Sequence, residues 1–299
     1  MDEIEEEKLR AILKTEQTFI DNINYSNEPV IHPIDPLNGF LIHNVPKHIL
    51  EILGSQINSI NLASSSANYL GTYQLNKKYV AGNSVTYDDK NYICMVSTES
   101  GILPTNKSFW ALDTNQNPKS NGSIHYSLAG HIQNQHSLYL DSELEEYIFY
   151  LSNRYFQKYP NFVFNIFKYN ALDEKTKLNL KIYALWVNFM KKYEFNPIHS
   201  HSGRLSFVIW YKVPFYIEDE IRYGPSKRVD NDNFTACFQF IHPVNDETGI
   251  GFKSLRVDKS YEGKIILFPS YLSHAVYPFY TSNDYRISIA GNIKCENGE

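Results

Sequence analysis

Residues Asn196–Tyr211 read NPIHSHSGRLSFVIWY, and this stretch sets the expectations for the rest of the chain. From Leu205 to Val213 it is dense in β-branched and aromatic residues, which suit a pleated, half-buried surface. Just before that run stand His199 and His201, two positions apart. Strand side chains alternate between faces, so this spacing points both imidazoles to one side. In a jelly roll that side can be the barrel interior, where a metal could be held. An HxH motif is short, and alone it reads equally well as two ordinary polar residues at the start of a strand.

Two segments further on shift that balance. Gly263–His274, GKIILFPSYLSH, reads as a strand, a Pro-Ser turn and a histidine, and Tyr285–Asn292, YRISIAGN, reads as a second strand. Alternation puts Arg286, Ser288, Ala290 and Asn292 on one face of it and Ile287 and Ile289 on the other. An inward arginine is costly to bury without an anion, and its fork matches a carboxylate in two-point contact. Of Trp210 and Tyr211, which alternate in direction, only one can line such a pocket.

Outward from these segments, 161–169 (NFVFNIFKY), Leu180–Phe189 and Phe234–Ile241 have strand composition. Helices are expected over 2–22, with acids in the first turn, and from Pro46 to about Ile60. A third runs from an Asp141 or Ser142 cap to about Tyr159. Many strands preceded by helices predict a mainly β, α+β chain: a barrel or jelly roll with helices packed outside.

Residues 69–112 differ in texture, being short Tyr-rich segments divided by Gly, Asn and Asp, and they predict a small all-β unit of hairpins. Polar stretches at 61–68 (NLASSSAN) and 113–123 (DTNQNPKSNGS) bracket it, as linkers bracket an inserted module. The expected division is therefore a helical part at 1–65, an insert at 66–120 and the β core at 121–299. The polar run Glu218–Asn233 is long for a hairpin connection and is the candidate substrate lid.

A net charge of −5 without any long Lys/Arg run gives no footprint for a phosphate backbone, so nucleic acid is not an expected partner. Cys94, Cys237 and Cys295 are widely spaced, which predicts neither a disulfide framework nor a cysteine zinc site. The acidic start and the lack of any stretch near the roughly 18 apolar residues of a membrane span predict a cytoplasmic protein with no membrane partner. His32, His43, His48, His125, His131, His136 and His242 are scattered and read as surface or satisfied core positions.

The ordered set NPIHSH…LSFVIWY, GKIILFPSYLSH and RISIAGN, with YSLAGHI (Tyr126–Ile132) and LWVN (Leu185–Asn188) upstream, resembles the 2-oxoglutarate/Fe(II)-dependent oxygenases common in phage genomes. The resemblance covers roughly residues 124–293. It implies a double-stranded β-helix (jelly-roll, cupin-like) core, with Fe(II), 2-oxoglutarate and O2 as cofactor and cosubstrates. In a phage setting it places the protein in the host cytoplasm. Residue by residue it implies that His199 and His274 ligate iron, that Arg286 binds the distal carboxylate of 2-oxoglutarate and that Ser288 supports it. The usual triad is two His and one carboxylate, yet no His here is followed two places later by Asp or Glu. Either His201 is the third catalytic ligand, the reading favoured by its spacing, or Glu218 or Asp219 arrives from the next loop.

The activity so implied is hydroxylation of an unidentified protein, nucleobase, sugar or small-molecule substrate, coupled to decarboxylation of 2-oxoglutarate. Two other readings compete with it. One is a three-His iron dioxygenase that does not use 2-oxoglutarate. The other is a phage structural or receptor-binding protein that recognises glycans and carries a vestigial metal site. The insert is similar to chitin-type carbohydrate-binding modules through Tyr73, Tyr79, Gly82, Asn83, Ser84, Val85, Thr86, Tyr87, Tyr92, Cys94, Gly101, Pro104 and Trp110. That resemblance implies a glycan partner at 69–112. Against it, so short a unit has little else to bury, so Tyr87 and Trp110 also read as its miniature core.

Overall fold

The computed structural model describes residues 27–35, 38–60, 69–79, 83–94, 98–112, 132, 134–160, 179–225, 234–244 and 249–295. In chain order the first half contains β1 (Val30–Asp35), β2 (Asn38–Asn44), α1 (Lys47–Asn58), β3 (Tyr69–Thr72), β4 (Ser84–Tyr87), β5 (Lys90–Cys94), β6 (Trp110–Leu112), β7 (Asn134–Ser137) and α2 (Ser142–Lys158). The second half contains β8 (Leu180–Met190), β9 (Asn196–His199), β10 (Leu205–Lys212), α3 (Ile217–Tyr223), β11 (Cys237–Pro243), β12 (Ile250–Arg256), β13 (Lys264–Pro269), β14 (His274–Val276) and β15 (Arg286–Cys295).

Seven of these strands form an antiparallel sheet in the order β1-β2-β13-β10-β15-β8-β7, and four form a smaller sheet, β12-β11-β14-β9. Alternation sorts the side chains of the large sheet. Leu205, Phe207 and Ile209 of β10, Ile265 and Leu267 of β13, and Leu185 and Val187 of β8 share one core with Ile49 and Leu53 of α1 and Leu144 and Leu151 of α2. The opposite face contributes Trp210, Ile266 and Phe268 to a second core, completed by Phe238 and Phe240 of the small sheet. The expected jelly-roll architecture, two sheets face to face with helices outside, is what forms.

Packing on both faces decides the register. A one-residue slip of β10 would send Ser206, Val208 and Trp210 into the helix-side core in place of Leu205, Phe207 and Ile209, burying a serine hydroxyl away from its Ser270 and Asn292 partners. α2 begins where expected: the Asp141 side chain accepts from the Glu143 N–H at 2.9 Å, with Glu143 and Glu145 in the first turn and Lys158 in the last.

Strands β3–β6 form a separate four-stranded sheet around Tyr79, Val85, Cys94 and Trp110. The hairpin expectation holds for β4–β5, whose turn residues Asp88 and Asp89 have φ of 51° and 55°, both in the left-handed region that a type I′ turn needs. It fails for β3–β4, which pair in parallel and so cannot be joined by a tight hairpin turn. Tyr79 lies 5.1 Å from Trp110 and 5.4 Å from Tyr73 between ring centroids, so these aromatics pack on one another.

The expected helix at 2–22, the strand at 161–169, both linkers, most of YSLAGHI and the lid residues 226–233 lie outside the described residues. The described start of the lid run is helical, within α3. Cys94, Cys237 and Cys295 are buried and none is in a disulfide, and among the described residues no helix is long and apolar enough to cross a membrane.

Candidate metal centre

β9 and β14 run antiparallel with His274 directly opposite His199. β9 contains Pro197, which removes a ladder donor, and it occupies an edge of the small sheet, where proline is tolerated. His201 does not continue that strand. It lies in the loop between β9 and β10, so strand alternation is not what brings it to the site. The loop is instead tied to its neighbours: His201 N–H donates to Ser270 O at 2.8 Å, Ser270 N–H to Arg204 O at 3.0 Å and Arg204 N–H to Ile293 O at 2.7 Å. The Tyr183 hydroxyl donates to Ser202 O at 2.6 Å. Gly203, at φ +94°, is required here, because a Cβ would stand 2.7 Å from Ile293 O.

These constraints bring one ring nitrogen each of His199, His201 and His274 within 4.8 Å of one another. Ring centroids are 4.2 Å apart for His199–His274, 5.0 Å for His199–His201 and 5.2 Å for His201–His274. His199 Nδ1 donates to Pro197 O at 2.7 Å and His274 Nδ1 to Leu272 O at 3.0 Å. A carbonyl only accepts, so both Nδ1 atoms carry the proton and both Nε2 lone pairs are left for a metal. Phe238 stacks on the His274 ring at 5.3 Å and Phe268 meets it edge-on at 5.0 Å, which fixes its plane.

Burial lowers the pKa of all three imidazoles. It acts on His199 against the Pro197 hydrogen bond, and with nearby His199 it brings His201 down to about 4; His274 falls well below the usual histidine range. Neutral imidazole is the ligating form, so the cluster is poised for a cation. Glu218 and Asp219, the alternative third ligands, are exposed on α3, and among the described residues the cluster contains no carboxylate.

The pocket beside the histidines is lined by Trp186 and Asn188 of β8, Trp210 of β10, and Arg286, Ser288 and Ala290 of β15. Trp210 faces it, while Tyr211 packs into the helix-side core. Arg286 is 3% exposed. Its Nη2 donates to Met190 Sδ at 2.8 Å, and no carboxylate of the described residues forms an ion pair with it. Burial lowers its pKa to about 10, which leaves it charged at neutral pH. A thioether is a weak acceptor for a guanidinium, so the pocket presents a buried cation in search of an anion. Asn188 and Asn196 stand in the motifs LWVN and NPIHSH without a role expected for either, and Gln135 lies outside every motif. The alternation of Trp186, Asn188 and Met190 along β8 was the available signal for Asn188, whereas nothing in the short polar β7 marks Gln135.

Residues 184–292 match the model of a family described as "Putative 2OG-Fe(II) oxygenase". The curated proteins contain no match. Among solved structures, a 2OG-Fe(II) oxygenase family oxidoreductase from Burkholderia pseudomallei is similar at 16% identity and TM-score 0.31 over 54% of this chain, which spans 63% of that protein. A Pseudomonas putida prolyl-4-hydroxylase is similar at 9% identity and TM-score 0.38, covering 87% of this chain and 94% of that one. OsALKBH1 is similar at 12% identity and TM-score 0.37, covering 87% and 100%. The matched segment contains all three histidines, Arg286 and Ser288, and it supports a 2OG-Fe(II) oxygenase. That family works with Fe(II), 2-oxoglutarate and O2.

Proposed function

We propose that this chain is an Fe(II)/2-oxoglutarate-dependent hydroxylase in which His199, His201 and His274 hold the iron and Arg286 with Ser288 binds the distal carboxylate of 2-oxoglutarate. The observation that supports this reading is the joining, in one pocket, of three neutral imidazoles within 4.8 Å and a buried arginine that no described carboxylate pairs with. A metal site without 2-oxoglutarate has no use for that arginine, whereas a dicarboxylate supplies the anion its burial demands.

When bound, iron and 2-oxoglutarate supply O2 activation coupled to oxidative decarboxylation, releasing succinate and CO2 as a C–H bond of the substrate is oxidised. The protein holds and orients these groups. The Nδ1–carbonyl bonds keep two ligands in the ligating tautomer, and the phenylalanines around His274 exclude water from its ring. Arg286 fixes the far end of the cosubstrate. His201 in place of a carboxylate leaves the site one negative charge short of the usual triad.

Anaerobic addition of Fe(II) and then 2-oxoglutarate tests the reading. A visible charge-transfer band that needs both components is expected. No band, or a band unchanged in Arg286→Ala, would reject it.

A further inference from the structure

Gln135 of β7, Asn188 of β8 and Ser288 of β15 stand directly opposite one another across the large sheet. Their side chains are linked in that order: Gln135 Nε2 donates to Asn188 Oδ1 at 2.7 Å, and Asn188 Nδ2 donates to Ser288 Oγ at 3.5 Å. Gln135 and Asn188 are 3% and 9% exposed, so each amide needs partners inside the protein.

The direction of these bonds carries information. A carboxamide accepts at one end and donates at the other, so a donor placed on the Asn188 carbonyl turns its NH2 towards Ser288. A serine hydroxyl that accepts from Asn188 keeps its own proton for a different partner. Ser288 lines the pocket two residues from Arg286. The partner in that direction must be an acceptor, and bonds in a chain strengthen one another.

We infer that Gln135 and Asn188 are positioning residues that aim the Ser288 hydroxyl proton into the pocket, so that Ser288 and Arg286 together present donors to a carboxylate. The inference rests on the cosubstrate reading above and deepens it. It extends the carboxylate site across three strands to a residue on β7 that does not itself touch the ligand.

The test is calorimetric titration of 2-oxoglutarate into the Mn(II)-loaded protein, with Mn(II) affinity measured separately. Asn188→Leu, close in shape but without hydrogen-bonding groups, is expected to weaken 2-oxoglutarate about tenfold and Gln135→Met about threefold, each with unchanged Mn(II) affinity. In a Ser288→Ala background neither substitution should weaken binding further. Full additivity with Ser288→Ala, unchanged 2-oxoglutarate affinity, or a parallel loss of Mn(II) binding would overturn the inference. Gln135→Met decides the matter if Asn188→Leu does not fold. Failure of the wild-type protein to bind 2-oxoglutarate, or equal binding by Arg286→Ala, would defeat the cosubstrate reading and the inference with it. Arg286-dependent binding with additive amide variants would defeat the inference alone.

Discussion

His199 and His274 face each other across the β9–β14 ladder with ring centroids 4.2 Å apart, and each holds its Nδ1 on the carbonyl two residues before it. The arrangement is locally repeated on two antiparallel strands. It presents two Nε2 lone pairs at one place, with the His201 loop closing the third side. His274→Ala is therefore expected to weaken Mn(II) binding by about a hundredfold or more, since at most two protein ligands remain. Electron paramagnetic resonance of free Mn(II) measures this, and wild-type affinity in the variant would refute the ligand assignment.

Arg286→Ala separates cosubstrate from metal. Removing one partner of a desolvated charge pair costs about 2–5 kcal/mol, so the KM for 2-oxoglutarate should rise roughly thirtyfold or more. Mn(II) affinity should stay within about threefold, because Arg286 contacts Met190 and lies outside the imidazole cluster. Collapse of metal binding with an unchanged KM would reverse the assignment.

His201 is where the chain departs from the two-His, one-carboxylate pattern. His201→Ala should weaken metal binding, and His201→Asp should keep it, since an anion replaces a neutral ligand on the same anchored loop. Both variants retain the backbone bond from residue 201 to Ser270 O. Equal Mn(II) affinity in wild type and His201→Ala would direct attention to Glu218 and Asp219.

The parts of this site that were legible in the sequence are those specified by short-range pattern. Alternation in β15 placed Arg286 and Ser288 opposite Ile287 and Ile289, and the Asp141 cap with its acidic first turn marked α2. The parts that were not legible depend on partners far along the chain. β9 contains a proline, β14 is three residues long and β7 reads NQHS, so none looks like a strand until its neighbour is known. His201 reached the expected cluster for a reason outside the sequence pattern, the bonds from its loop to Ser270 and Ile293. The parallel β3–β4 pair likewise depends on a crossover that local turn chemistry does not specify.

Glu220 is the buried carboxylate of α3. It accepts from the N–H groups of Tyr280 and Thr281, both at 2.8 Å, and from the Thr281 hydroxyl, fixing the approach to β15. Glu220→Ala would strand two backbone donors, and a loss of roughly 2–4 kcal/mol in urea unfolding is expected. A change under 0.5 kcal/mol would show that water satisfies those donors as well as the carboxylate does.

The last prediction concerns the division of the chain, for which we propose an insert at 66–120 within an oxygenase made of 1–65 and 121–299. Among the described residues, strands β3–β6 pair only with one another, and Tyr79, Val85, Cys94 and Trp110 form a core cluster. On the other side, the described elements that precede and follow the proposed insert meet. Gln56, near the end of α1, donates to Tyr139 O at 3.3 Å and accepts from Tyr139 N at 3.2 Å, so the chain that leaves after α1 returns to the same place before α2. With Gln56 and Tyr139 in contact, a bridging segment between them closes a loop whose entropy cost grows only as the logarithm of its length. A chain with Ser65 joined to Asn121 through a short Gly/Ser linker should fold and bind Mn(II) and 2-oxoglutarate as the full protein does. Residues 66–120 expressed alone should fold with Trp110 buried, its fluorescence shifting on denaturation, and any affinity for chitin-like glycans should travel with this piece. An insoluble shortened chain, or one that binds metal but not 2-oxoglutarate, would assign residues 66–120 to the oxygenase itself, because the Gln56–Tyr139 contact would then be insufficient to hold the flanks without the sheet between them.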